Sequence, residues 1–248
     1  MKTFGLIGFP LEHSFSQKYF TEKFKVENIE ARYLNFPISD INLFPELLDK
    51  HPYLAGLNVT IPYKQSVMEY LDELDPVAKE VGAVNVIQIK WNNKKPYLKG
   101  FNSDIIGFSR SISPHIRKTH KKALILGTGG ASKAVAYALS QMGLLYRFVS
   151  RNPSHSSQVS YDALDNENIK DFKVIINTTP AGMSPNVDSC PPLPYKGVTS
   201  EHLAFDLIYN PESTLFMKKC AENGAIVKNG LEMLHLQAEG AWEIWNQE

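Results

Sequence analysis

The run Ala123-Leu124-Ile125-Leu126-Gly127-Thr128-Gly129-Gly130-Ala131-Ser132 carries an apolar segment into a glycine turn and then into an Ala-rich stretch. A strand that enters Gly-x-Gly and opens a helix is the setting a dinucleotide fingerprint requires. Gly127, Thr128, Gly129, Gly130 and Ala131 would let a pyrophosphate approach the backbone, and the helix N-terminus would offer it unpaired N–H groups. Ser132 stands where a third glycine is usual, and it is small enough for close helix–strand packing. A glycine turn in a non-binding α/β domain would look the same over these residues alone. The next strand tip is more informative. It reads Phe148-Val149-Ser150-Arg151-Asn152, with no acid to hold a ribose 2′-hydroxyl. An Arg there suits a 2′-phosphate, because guanidinium forms bidentate charge-assisted bonds with phosphate oxygens. Ser150 and Asn152 can add hydrogen bonds. The residues therefore favour NADP(H) over NAD.

A second group of reactive side chains lies earlier. Gly56-Leu57-Asn58-Val59-Thr60-Ile61-Pro62-Tyr63-Lys64 reads as a strand closed by a proline. Pro62 suits a first helical position, which would place Lys64 in the first turn of a helix. A cation there opposes the helix dipole, a setting that suits proton exchange. An ordinary solvated lysine is the competing reading. Lys99-Gly100-Phe101-Asn102-Ser103-Asp104, His13-Ser14-Phe15-Ser16 and Gly82-Ala83-Val84-Asn85 sit at similar junctions. Taken singly, their serines and Asp104 could be helix caps, and Asn85 a buried structural amide. Taken together, the junctions gather Ser, Thr, Lys, Asn and Asp. That set suits a small polyhydroxylated carboxylic acid, whose hydroxyls each need a donor and an acceptor. No Cys/His pair or His-x-x-x-His spacing predicts a metal site, and there is no Gly-x-Ser-x-Gly elbow.

The elements that must position these residues alternate. Strands are expected at Thr3–Phe9, Ala31–Phe36, Leu54–Ile61, Ala83–Trp91 and Pro96–Phe101, the last two flanking the polar turn Asn92-Asn93-Lys94-Lys95. Helices are expected at Ser16–Asn28 and Phe44–Lys50. A second block follows, with helices at Ile105–Ile112, Ala131–Met142 and Ser213–Asn223. Its strands are Ala123–Leu126, Leu145–Val149, Val174–Asn177 and Leu203–Leu207. Lys118–Lys122 reads as a solvated basic stretch, and Ala181–Ser200, with four prolines, as a long loop. Glu232–Asn246 reads as a closing helix. Such alternation predicts an α/β fold of parallel sheets with right-handed crossovers.

The chain has 248 residues, 26 Lys+Arg and 26 Asp+Glu, and hence no net charge. Zero balance argues against a broad face for nucleic-acid phosphates. Hydrophobic residues at 43% and charged residues at 21% are those of a globular protein. Cys190 and Cys220 make no disulfide framework. The start lacks the apolar run of a signal peptide. No stretch of about 18 apolar residues predicts a spanning helix. A soluble, cytoplasmic protein without a membrane partner is expected.

Several of these motifs, in this order, resemble those of the shikimate dehydrogenase family over nearly the whole chain. They are Gly5-Leu6-Ile7-Gly8, His13-Ser14-Phe15-Ser16, Asn58 to Lys64, Gly82 to Asn85, Gly100 to Asp104 and Gly127 to Ala131. Asn177 to Met183, Asp206 to Pro211, and Asn229 to Leu234 with Gln237 complete the set. The resemblance implies NADPH-dependent reduction of 3-dehydroshikimate to shikimate in aromatic amino-acid biosynthesis. It implies Lys64 as the acid/base residue and Asp104 as its partner at the reacting hydroxyl. Ser14 and Ser16 would hold the substrate carboxylate. Thr60, Asn85, Tyr209 and Gln237 would complete the substrate pocket. Gly127 to Ala131 would take the pyrophosphate, and Ser150, Arg151 and Asn152 the 2′-phosphate. Leu207, Gly230 and Met233 would lie near the nicotinamide.

The resemblance also implies two domains with a cleft between them. Residues 1–104 with 232–248 would bind substrate, and 105–231 would form a Rossmann-type, doubly wound dinucleotide domain. Gln17 stands where the family has Pro, Ser150-Arg151-Asn152 where it has Asn-Arg-Thr, His155 where a second basic residue often follows, and Asn229-Gly230 where it has Asp-Gly. A quinate/shikimate dehydrogenase using NAD, a folate-type dehydrogenase, and a non-catalytic dinucleotide-binding regulatory module are the competing readings. The expected assembly is a monomer or homodimer.

Overall fold

The computed structural model describes residues 1–11, 14–93 and 95–247. His13 of the serine motif and Lys94 of the polar turn lie outside the described residues. The chain forms two compact units. One is Met1–Ser103 together with Gln237–Glu248, and the other is Asp104–Leu236.

The first unit contains β1 (Lys2–Gly8), α1 (Phe15–Val26), β2 (Ala31–Pro37), α2 (Phe44–Lys50), β3 (Leu54–Val59), β4 (Glu73–Leu74), α3 (Pro76–Val81), β5 (Val86–Asn92) and β6 (Lys95–Phe101). Its sheet runs β2-β1-β3-β5-β6-β4. β1 is parallel to β2 and β3, but β5 is antiparallel to β3 and β6. The sheet is therefore mixed, not parallel throughout as the alternation predicts. The reason is local: a connection as short as that between β5 and β6 can only reverse the chain. Asn93 takes a left-handed conformation there, φ 45°, which Asn tolerates better than most residues.

α1 turns Phe20 and Phe24 inward, as the aromatic spacing requires. They pack with Phe4 and Tyr33 against Trp242 and Trp245. The two tryptophans belong to the last helix, α7 (Leu231–Trp245). Trp245 stacks on Phe4 with centroids 4.7 Å apart and donates from Nε1 to the Ile87 carbonyl at 3.1 Å. Its indole occupies the space that a side chain at Gly56 would need. Gln88, buried on β5, donates from Nε2 to the Ile244 and Gln247 carbonyls, both at 2.9 Å. The end of α7 is thus part of the first unit's core.

The second unit contains α4 (Asp104–Ile112), β7 (Lys122–Leu126), α5 (Gly130–Gln141), β8 (Leu145–Ser150), β9 (Gln158–Ser160), β10 (Val174–Asn177), β11 (Leu203–Asp206), α6 (Leu215–Glu222) and β12 (Ile226–Lys228), followed by the start of α7. Every strand pair is parallel, in the order β12-β11-β10-β7-β8-β9. Counted within this unit the order is 3-2-1-4-5-6 from β9 to β12, the doubly wound arrangement. The strand order reverses between β7 and β10. Ligands of such sheets bind outside the carboxyl ends at that point.

Two local expectations need correction. No α-helix begins at Pro62: Ile61 and Pro62 form a turn, closed by Tyr63 N–H to the Thr60 carbonyl at 2.9 Å, and a short 3₁₀ segment follows at Ser66–Tyr70. The Ile61–Pro62 bond is cis. Lys118–Lys122 is not solvated throughout, since His120 is buried and Lys122 begins β7.

Candidate functional site

In the first unit the candidate residues gather at the ends of β1, β3 and β5. Ser14 is the N-cap of α1, and its Oγ accepts the Gln17 N–H at 3.2 Å. Ser16 stands beside the Tyr33 hydroxyl, which donates to Asn58 Oδ1 at 2.7 Å. Burial raises the Tyr33 pKa well above the usual tyrosine value, so this phenol stays a donor. Asn58 Nδ2 reaches the Asn85 carbonyl at 3.4 Å. Ser16, Tyr33, Asn58 and Asn85 thus form one line of polar groups across the sheet. The motifs placed Ser16 and Asn85 in the site. Tyr33 and Asn58 were not singled out, although both are polar in strands that otherwise point apolar residues inward.

Thr60 follows β3 directly, its N–H donating to the Ile7 carbonyl at 2.9 Å. Its methyl fills the space beside Gly8. Lys64 is half-buried in the turn beyond Pro62, and its carbonyl accepts the Val84 N–H at 2.7 Å. Lys64 is held by this strand-to-turn bond and not by the first turn of an α-helix. Asn85 is buried, with its carboxamide turned onto Ser103. Gln237 lies half-buried on α7.

In the second unit Asp104 is the first residue of α4 and is buried. A carboxylate at that end of a helix is favoured by the dipole. The glycine turn sits at the carboxyl end of β7. Gly127 has φ +102°, which only glycine adopts readily. A side chain there would also press on Thr178 and Thr179. Gly129 is the N-cap of α5, and both Gly129 and Gly130 face open space. Ser132 is buried and donates back to the Gly129 carbonyl at 2.6 Å. It closes the turn from within and leaves the outward N–H groups of α5 clear. Thr128 is exposed on the turn and Ala131 half-buried. An open glycine cradle at a helix N-terminus fits a diphosphate.

At the tip of β8 Arg151 and Asn152 are exposed, and Ser150 Oγ accepts the Asn152 N–H at 3.2 Å. Tyr161 stands near: burial raises its pKa, and the Arg151 charge opposes that shift. Leu207 follows β11, and its carbonyl packs where a Gly230 side chain would go. Gly230 N–H donates to the Ile208 carbonyl at 3.1 Å. Met233 is buried and Tyr209 exposed.

Asp206 and Asn177, which the motif reading did not place in the site, are both fully buried at neighbouring strand ends. Asp206 Oδ1 accepts the Ile208 N–H at 3.0 Å and Asn177 Nδ2 at 3.1 Å, and Oδ2 accepts the Thr214 hydroxyl at 2.6 Å. Burial pushes the Asp206 carboxyl up to about 6, against these hydrogen bonds. An acid closing a strand, followed by a polar loop, was the available signal.

Residues 6–87 match the family model described as the shikimate dehydrogenase substrate binding domain. The chain is 38% identical to a shikimate dehydrogenase (NADP(+)) of Methanococcus maripaludis, over 98% of this chain and 91% of that one. The chain belongs to the shikimate dehydrogenase family. Among solved structures, the shikimate 5-dehydrogenase of Thermus thermophilus in complex with NADP(H) and shikimate is similar, with 28% identity and a TM-score of 0.86 over 99% of this chain and 94% of that one. The quinate dehydrogenase of Corynebacterium glutamicum in complex with NAD is also similar, with 25% identity and a TM-score of 0.87 over 99% and 93%.

Two departures from the shikimate dehydrogenase pattern have local explanations. Gln17 supplies the N–H that Ser14 caps and accepts Asn35 Nδ2 at 2.9 Å; a proline could offer neither. Asn229 Oδ1 accepts the Leu231 N–H at 3.2 Å, while its Nδ2 donates to the Glu212 carbonyl at 3.0 Å. An aspartate could make only the first bond. Among the described residues no group of three or more His, Cys, Asp or Glu could hold a metal ion. No described helix is long and apolar enough to cross a membrane.

Proposed function

We propose that this chain reversibly reduces 3-dehydroshikimate to shikimate with NADPH, and so serves aromatic amino-acid biosynthesis. The observation that carries the reading is its 38% identity, over 98% of its length, to a shikimate dehydrogenase (NADP(+)). The doubly wound sheet with an open glycine turn beside its switch point supports the dinucleotide part. The hydroxyl and amide line from Ser16 to Asn85 supports a polyhydroxylated substrate.

In this reading residues 1–104 with 232–248 handle substrate and 105–231 handle the dinucleotide. Ser14 and Ser16 bind the substrate carboxylate. Thr60, Asn85, Tyr209 and Gln237 hold its ring hydroxyls. Lys64 donates the proton to the developing alkoxide, and Asp104 accepts a hydrogen bond from the reacting hydroxyl and fixes its orientation. Gly127, Thr128, Gly129, Gly130 and Ala131 seat the diphosphate, and Ser150, Arg151 and Asn152 the 2′-phosphate. Leu207, Gly230 and Met233 wall the nicotinamide end. When bound, NADPH supplies the hydride; the chain supplies binding, orientation and electrostatics. The enzyme acts in the cytoplasm as a monomer or homodimer, without a nucleic-acid or membrane partner.

A second reading, oxidation of quinate with NAD, draws on the likeness to the quinate dehydrogenase. Arg151 favours the first, since an acid at that position would suit NAD better. A four-way turnover assay, shikimate or quinate with NADP or NAD, decides. The highest kcat/KM with shikimate and NADP is expected; the highest with quinate and NAD would overturn the proposal.

A further inference from the structure

The second unit holds a buried carboxylate that the reaction does not use. Asp206 ends β11 and is fully buried, and hydrogen bonds tie it and its neighbour Asn177 to each other and to two loops. Through the Ile208 N–H it sets the turn after β11, whose Leu207 carbonyl lies against Gly230. Through Asn177 it reaches the loop after β10. Asn177 Nδ2, besides meeting Asp206, donates to the Ala181 carbonyl at 3.3 Å. Asn177 Oδ1 accepts the Thr179 N–H at 3.0 Å and the Thr179 hydroxyl at 2.7 Å. Thr178 and Thr179 are the residues that flank Gly127, and Thr178 Oγ1 donates to the Leu126 carbonyl at 2.6 Å. Three segments at the carboxyl end of this sheet, the glycine turn, the loop after β10 and the loop after β11, therefore share one buried anchor.

A charged group in such a place is costly unless its bonds do something that an apolar residue could not. Here the bonds to Ile208 and Thr214, and those of Asn177 to Thr179 and Ala181, fix loops rather than a core contact. We infer that Asp206 is a positioning residue for the dinucleotide, holding the loops after β10 and β11 in the register that lets Gly127, Leu207 and Gly230 receive it. The inference rests on the proposed NADP(H) binding and extends it to a residue that touches no ligand. Its prediction is specific: loss of the anchor weakens the cofactor more than the substrate, whose proposed pocket shares only Tyr209 with these loops.

The test compares wild type with Asp206→Ala, Asp206→Asn, Thr214→Val and Thr214→Ser. NADPH binding is read directly from its fluorescence, and KM for shikimate separately from KM for NADP. Asp206→Ala is expected to weaken NADPH by about tenfold or more, the loss of a charge-assisted set of bonds, with a clearly smaller rise in shikimate KM. Asp206→Asn keeps the Oδ1 acceptor for Ile208 and Asn177 and is expected to restore most of the affinity. Thr214→Val, isosteric but without the hydroxyl that meets Asp206 and caps α6, is expected to weaken NADPH in the same direction, and Thr214→Ser to leave it unchanged. If Asp206→Ala does not fold, the Thr214 pair decides alone. Unchanged NADPH affinity in Asp206→Ala, or in Thr214→Val where that pair decides, overturns the inference, as does an equal rise in shikimate KM. Wild type that fails to bind NADPH overturns the functional reading and this inference with it.

Discussion

Asn85 holds Ser103 at both ends of its carboxamide. Nδ2 meets Ser103 Oγ at 3.2 Å, and Oδ1 accepts the Ser103 N–H at 2.7 Å. Both residues are buried, and Ser103 directly precedes Asp104 in the chain. The amide that the motif offers for substrate is thus also a clamp on the backbone ahead of the proposed catalytic carboxylate. Asn85→Ala leaves the Ser103 N–H buried without its partner, at a cost of about 1–3 kcal/mol. Urea unfolding is expected to register that loss together with a raised shikimate KM. Asn85→Asp keeps the acceptor and should recover part of the stability.

Lys64 sits in a turn whose shape is set by Pro62 and by the Val84 N–H on its carbonyl. Lys64→Ala should lower kcat by about 10²–10⁴-fold, the range for a lost acid/base group. Steady-state turnover with shikimate and NADP checks it. A kcat within a few-fold of wild type would remove Lys64 from its role.

Two buried histidines give the second unit a pH dependence of known sign. His120 Nδ1 accepts the Arg117 N–H at 3.2 Å, and His202 Nδ1 accepts the Thr199 N–H at 3.0 Å. Burial lowers both pKa values, most of all by desolvating the charged ring. The unfolded chain takes up these protons near the ordinary histidine value of about 6.5, before the folded chain does. Their contribution is present above that pH and lost as pH falls through the folded values. Asp206 has the opposite sign: with its pKa raised to about 6, its share is present at low pH and lost as pH rises through that value. Unfolding free energy should therefore fall between neutral and mildly acid pH less steeply than the histidines alone require. His202→Gln should flatten the histidine part, seen by urea titration across that range.

What the residues disclosed and what they hid follows from the range of the forces involved. The strand into Gly127 and the helix after it are local, and both ends were legible from apolar periodicity and glycine. α3 was equally local, with Asp75 capping Val77 N–H, Pro76 beginning the helix and Gly82 ending it at φ 68°, yet its six residues carry too little periodicity to stand out. β4 and β12 are two and three residues long and exist through pairing with β6 and β11, which no local pattern reveals. Pro62 misled because a proline suits both a helix start and a tight turn; the bonds around Thr60 and Val84 chose the turn. Ser14 and Ser16 were visible as a pair, but the link from Ser16 through Tyr33 to Asn58 joins α1, β2 and β3 and needed the sheet to be assembled.

Arg151 offers the sharpest test of cofactor choice. It is exposed at the tip of β8, on the edge side of the glycine turn, with Ser150 and Asn152 joined by their own hydrogen bond. Nothing in the core depends on its side chain, so Arg151→Ala should leave the unfolding midpoint unchanged. A charge-assisted bond to phosphate is worth about 1.5–3 kcal/mol, which is about ten- to a hundred-fold in affinity. The ratio of kcat/KM for NADPH over NADH should fall by that factor. The fall should come from a raised NADPH KM, with the NADH values nearly unchanged, because NADH carries no 2′-phosphate for the guanidinium to meet. An unchanged ratio would assign the selectivity to Ser150 and Asn152 instead.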